Sequence, residues 1–149
     1  MLLLLKEKAI SILKEIEQAN GTVLESAKGG MMYPILVVAL GTGMRMGEIL
    51  GLTWDCVDFK NRIITVEKTL TYLPGDGLIA QYELHKPKTA AGNRKIPMTG
   101  KVYDVLLLQK DIRANIASHF EPREGFENLV FTSKTNNPIN ASNVKDSNK

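Results

Sequence analysis

A single cysteine, Cys56, in 149 residues excludes an intramolecular disulfide and suits a reducing compartment. It has no histidine or second thiol beside it in sequence to activate it, so it reads as a packing residue. Long apolar runs are also missing. Met1 to Leu5 is apolar for only five residues before Lys6-Glu7-Lys8, too short and too late in charge for a signal sequence. No stretch approaches the roughly 18 apolar residues of a membrane span. No internal repeat or low-complexity block is present. A soluble, cytoplasmic protein is therefore expected, with no membrane partner. Charge is only mildly one-sided, at +3 with a pI near 9.0, which permits a polyanionic partner without demanding one. Apolar residues at 44% and charged residues at 23% are ordinary for a globular chain of this size, and the expectation is one domain.

What is present is organised around Gly41-Thr42-Gly43-Met44-Arg45-Met46-Gly47-Glu48. Two glycines in three residues break the apolar run Ile35 to Leu40 and permit a tight turn. One arginine then enters otherwise core-like sequence. A guanidinium brings five donors that need partners, and Glu48 at i+3 lies on the same helix face. This suggests a buttressed arginine at a helix start, aimed at an anion. Two other readings fit the same residues. One is a structural ion pair at a helix–loop junction. The other is a dinucleotide loop, although Gly41-x-Gly43-x-x-x-Gly47 misses the GxGxxG spacing by one residue.

In chain order, residues 2–19 carry Leu5, Ile10, Ile12, Leu13 and Ile16 near helical spacing, and Asn20-Gly21 stops them. Met31 to Leu40 is apolar throughout; Pro34 near its start favours helix over central strand. Trp54 to Phe59 reads as a tight turn and Arg62 to Val66 as a β-branched strand, which Thr69 to Leu73 can extend. Pro74-Gly75-Asp76-Gly77 is a turn, and Leu78–Leu84 and Arg94–Met98 are strand-like, giving a sheet of about three antiparallel strands. Lys101 to about Ser118 is a helix with Val102, Val105, Leu106, Ile112 and Ile116 inward. Leu129-Val130-Phe131 is a short apolar strand, and a polar tail follows from Thr132.

The fold expected is α+β: mostly helical, with a small three-stranded antiparallel sheet. Its segments are a helix and loop (1–30), an Arg/Glu helical segment (31–60), a sheet with a basic hairpin (61–98), and a helix, strand and tail (99–149). Between Lys60 and Lys101 eight cations face three carboxylates, a local excess larger than the net charge of the whole chain. Five of them lie from Lys86 to Lys101. Such a cluster is either a solvated hairpin with an edge blunted by lysine or a finger for a sugar-phosphate backbone.

Several of these motifs together resemble the tyrosine recombinases, most of all phage and conjugative-transposon integrases. They are Thr42-Gly43-Met44-Arg45-Met46-Gly47-Glu48-Ile49-Leu50, Leu52-x-Trp54-x-x-Val57-Asp58-Phe59, and Ile63/Ile64-x-Val66-x-Lys68-Thr69. Lys88-Thr89 before Arg94-Lys95-Ile96-Pro97-Met98, and Phe131-Thr132-Ser133 through Pro138-Ile139, continue the series in order. The resemblance implies an enzyme that cuts and rejoins double-stranded DNA at an attachment site through a 3′-phosphotyrosine. It implies no metal, no other cofactor and no small-molecule substrate, and further recombinase protomers as partners of the full-length protein. Arg45 would clamp the scissile phosphate, Glu48 would support Arg45, and Lys88 would protonate the departing 5′ oxygen. Lys86, Arg94 and Lys95 would contact DNA.

The family's His-x-x-Arg, with its second arginine, and its nucleophilic tyrosine would follow the region where this sequence stops. His119 and Arg123 are spaced by four rather than three, and Tyr33, Tyr72, Tyr82 and Tyr103 all lie upstream of the nucleophile's place. The expectation is a truncated integrase catalytic domain that binds DNA weakly and does not cut it. The alternative is a stand-alone nonspecific DNA-binding or regulatory fragment.

Overall fold

A computed structural model describes residues 32–73, 81–86 and 93–140, with residue 81 described by its backbone alone. The helix expected over 2–19, the turn at 74–77, Lys88 and the tail beyond 140 lie outside the described residues.

The apolar run forms helix α1, Met32–Thr42, with Pro34 in its first turn, where a missing N–H costs no helical bond. Ile35 and Val38 are fully buried on one side of it. The helix ends on a small device. Thr42 Oγ1 donates to Val38 O at 2.6 Å and accepts from Met44 N–H at 3.1 Å, while Gly43 takes φ +70. An L-residue avoids that conformation, so Gly43 is the hinge into helix α2, Met46–Leu50. Gly41 is no loop glycine. It lies within α1 against helix α3 (Gly100–His119), where an added Cβ would sit 2.3 Å from Val102 Cγ2.

After α2 comes a 3-10 turn, Trp54–Cys56, and then five strands: β1 Val57–Asp58, β2 Ile63–Val66, β3 Thr69–Leu73, β4 Gln81–His85 and β5 Arg94–Pro97. They form two antiparallel sheets rather than one. One has the order β1-β2-β5, with Ile64 opposite Ile96 and Val66 opposite Arg94; the other is the pair β3-β4, with Tyr72 opposite Tyr82. Thr69–Leu73 therefore does not prolong β2. The chain leaves the first sheet at Glu67-Lys68, where Lys68 Nζ is fastened to Thr53 Oγ1 at 2.8 Å. Every strand pairing among the described residues is antiparallel, which removes the dinucleotide reading with its parallel sheet.

The fold is α+β as expected, but the described residues are not mostly helical: three helices of 11, 5 and 20 residues stand beside five strands. Helix α3 is capped by Thr99, whose Oγ1 accepts from Val102 N–H. Its buried positions are Val102, Val105, Leu106, Gln109 and Arg113, whereas Ile112 and Ile116 are only half-buried. The polar pair has a specific task. Leu129, Val130 and Phe131 are wholly buried yet do not form the expected strand; only Leu129 bridges Thr53. Backbone pairing is confined to residues 52–54, through Val130 N–H to Leu52 O and Trp54 N–H to Asn128 O, and the carbonyls of Leu129 and Val130 are met by side chains. Gln109 Nε2 donates to Val130 O at 2.8 Å, and Arg113 Nε donates to Leu129 O at 3.0 Å.

Candidate functional site

Arg45 is the N-cap of α2, with extended backbone angles (φ −70, ψ 152). A β-conformation at this position turns the side chain away from the helix, and Arg45 is exposed. Among the described residues no protein acceptor holds its guanidinium. Its backbone, by contrast, is pinned. Glu48 Oε1 accepts the Arg45 N–H at 2.9 Å, as the N3 carboxylate of a capping box does. The i,i+3 relation thus supports Arg45 through its amide, rather than through the guanidinium contact that a helix-face pair implies.

The Glu48 carboxylate is spent on Arg94. Nη1 donates to Oε2 at 2.8 Å and Nη2 donates to Oε1 at 2.9 Å, a two-pronged ion pair across 46 residues of sequence. The Glu48 side chain is 10% exposed and the Arg94 side chain 39%, so the carboxylate is the buried partner. The bond to Arg94 holds the Glu48 pKa below its ordinary 4.5; burial opposes this, and the Arg45 amide reinforces it. A depressed folded-state pKa gives stability that is present above 4.5 and lost as pH falls through the folded value. Denaturant unfolding between pH 7 and pH 3 should show that loss, and Glu48→Gln should flatten part of it. An equally steep fall in the variant would mean that the carboxylate contributes nothing. Asp55, Asp58, Glu67 and Glu127 are also depressed and act in the same direction.

Of the other basic residues, Lys86 is exposed just past β4, and Lys95 is exposed on β5, on the opposite face from its neighbour Arg94. Lys88 lies outside the described residues, in the segment that runs into β5. Arg45 and β5 are therefore joined through one carboxylate, while Lys86 and Lys95 are open to solvent without being brought against it.

A second polar cluster surrounds Cys56. Its Sγ, an Asp55 carboxylate oxygen and a Glu67 carboxylate oxygen all lie within 4.8 Å of one another, a spacing that suits a cation. Lys68 Nζ stands among them, 3.1 Å from Glu67 Oε1, 3.4 Å from Cys56 Sγ and 3.9 Å from Asp55 Oδ2, and supplies the positive charge. Burial raises the Cys56 pKa, so the thiol stays neutral and inert. Burial works against the Lys68 ammonium, yet the bond to Glu67 leaves its pKa above the ordinary value.

The tyrosines are occupied by packing. Tyr103 meets Phe59 edge-on with Arg62 4.1 Å above its ring, Tyr72 and Tyr82 lie 5.4 Å apart, and Tyr33 packs on the core. His119 closes α3, with Nδ1 3.0 Å from Asn115 O. Sequence reasoning found Arg45 and Glu48 but not the partner of Glu48, nor the Gln109 and Arg113 supports.

Comparison with known proteins gives the family. Residues 4–149 match the phage integrase family. A tyrosine recombinase XerC-like protein from Caldanaerobacter subterraneus subsp. tengcongensis is 27% identical over 82% of this chain and 33% of its own length. The transposase from transposon Tn916 of Enterococcus faecalis is 30% identical over 74% of this chain and 26% of its own. The sequence thus spans a third or less of these relatives. Among solved structures, the Tn1549 transposon integrase in complex with transposon right end DNA superposes with a TM-score of 0.63 at 31% identity, over 83% of this chain and 40% of that one. With the family matched across nearly the whole sequence and the fold shared with a solved integrase, the chain belongs to the phage integrase family.

Proposed function

We propose that this chain is part of a site-specific DNA recombinase that breaks and rejoins double-stranded DNA through a 3′-phosphotyrosine. Arg45 grips the scissile phosphate, its planar fork matching two non-bridging oxygens and offsetting the charge that builds up on them. Glu48 fixes the Arg45 amide and thereby the start of the side chain. Lys88, carried on the segment before β5, protonates the departing 5′ oxygen. Lys86 and Lys95 add contacts along the DNA backbone. None of Tyr33, Tyr72, Tyr82 and Tyr103 is assigned as the nucleophile.

The observation that carries this reading is an exposed arginine, with no acceptor for its guanidinium among the described residues, whose backbone is held by a buried carboxylate. A structural ion pair would have turned that guanidinium inward. The DNA complex of the Tn1549 integrase, a relative by both sequence and fold, supports the choice of partner.

The 149 residues alone should bind duplex DNA weakly and cleave none of it. Incubation with a nicked suicide substrate carrying an attachment site tests the second statement. No covalent protein–DNA adduct is expected. An adduct resistant to denaturation would mean that one of the four tyrosines in the chain is the nucleophile.

A further inference from the structure

The basic residues near β5 invite a single role as DNA contacts, yet Arg94 differs from Lys86 and Lys95 in what it touches. Both terminal nitrogens of Arg94 are committed to Glu48, at 2.8 and 2.9 Å. The same carboxylate takes the Arg45 amide at 2.9 Å. One buried acidic side chain thus joins the first residue of β5 to the N-cap of α2. Those two points are the anchor of the 86–93 segment and the root of the exposed arginine. Its neighbours Asn93 and Lys95 are exposed, and Lys95 is held through its backbone pairing with Thr65.

We infer that Arg94 is a positioning residue that sets the Arg45 turn and the β5 end of the lysine segment at a fixed separation, rather than a phosphate contact. This rests on the reading that Arg45 faces DNA. The geometry requires the fork. Two parallel N–H donors satisfy two carboxylate oxygens and fix an angle as well as a distance, which a lysine ammonium cannot do.

Charge and position make opposite forecasts for Glu48. An acid removed from beside a DNA-binding face should tighten binding if only charge matters. If Glu48 and Arg94 act as a strut, its removal should loosen binding.

The test uses the 149-residue chain and a short duplex, with affinity measured by fluorescence anisotropy over a range of salt. Thermal melts verify that each variant is folded. Glu48→Gln, which keeps size and shape, is expected to weaken binding, and Arg94→Lys, which keeps the charge, is expected to weaken it as much as Arg94→Met. The two Arg94 variants should share one slope of log K against log salt, because the charge that lysine keeps and methionine removes is not itself a phosphate contact. In an Arg45→Ala background, Arg94→Lys should have little further effect, because its influence passes through Arg45. That last readout separates positioning from plain structural support, which would persist in either background.

The inference is overturned if Arg94→Lys binds like the wild type while Arg94→Met lowers the slope by about 0.9, the signature of one lost phosphate contact. Tighter binding by a folded Glu48→Gln variant would overturn it too. Should Glu48→Gln fail to fold, the two Arg94 variants at a partly exposed position still decide. Absence of salt-dependent binding by the wild-type chain would instead defeat the DNA reading on which the inference rests.

Discussion

Arg113→Ala should lower the stability of this protein by about 3 kcal/mol or more. The residue is buried, at 7% exposed, and no carboxylate pairs with it among the described residues. Its charge is met by oxygen dipoles instead: Nε donates to Leu129 O, and Nη1 donates to Thr132 Oγ1 at 3.0 Å and Asn136 Oδ1 at 2.8 Å. Asn136 in turn donates from Nδ2 to Phe120 O at 2.8 Å, tying the segment to the end of α3. Truncation would leave these acceptors without donors and open a cavity beside Leu129, Thr132 and Asn136. Urea unfolding would measure the loss. Arg113→Met separates the two causes, because it fills much of the space without donating. If the methionine variant is as stable as the wild type, the hydrogen bonds are not what holds residues 129–136.

Gly51→Ala is the second large effect, at about 1–3 kcal/mol from overpacking. An added Cβ would lie 2.8 Å from Leu70 N, 3.1 Å from Gly47 O and 3.1 Å from Thr69 C. All three are backbone atoms, so relief requires α2 and β3 to move apart. Gly47 makes the same approach one turn earlier, with Thr69 Cγ2 2.8 Å from its would-be Cβ. The pair lets a five-residue helix rest directly on a strand, which fixes the axis that Arg45 begins. Gly100→Ala is the control, since nothing lies within 4 Å of its Cβ. That variant should be neutral or more stable by a few tenths of a kcal/mol to about 1, alanine being the better helix former. Equal losses at both positions would show that close approach is not the reason for Gly51.

The turn at Gly43, the helix with Pro34 near its start and the run of Arg62–Val66 were legible because each rests on a local preference of the backbone. The exposed Arg45 followed from composition: an arginine among apolar residues is buried at a cost or points out. The links between elements were not legible. Glu48 and Arg94 stand 46 residues apart, and nothing near either one names the other. Leu129–Phe131 looked like a strand because its side chains are apolar, but its backbone pairs only briefly with residues 52–54, and Gln109 and Arg113 meet the carbonyls of Val130 and Leu129. The same two side chains moved the α3 stripe off Ile112 and Ile116. Likewise, Thr69–Leu73 has strand composition whether it prolongs β2 or starts a second sheet. The anchoring of Lys68 at Thr53, which no periodicity records, accompanies the second outcome.

If Arg45, fixed at its amide and open at its guanidinium, meets a DNA phosphate, its loss must show in the salt dependence of binding. A duplex is titrated with the wild-type chain and with Arg45→Ala at several salt concentrations. The variant should bind more weakly, with a salt slope smaller by about 0.9, the share of one released counterion. Identical slopes and affinities for the two folded proteins would contradict it.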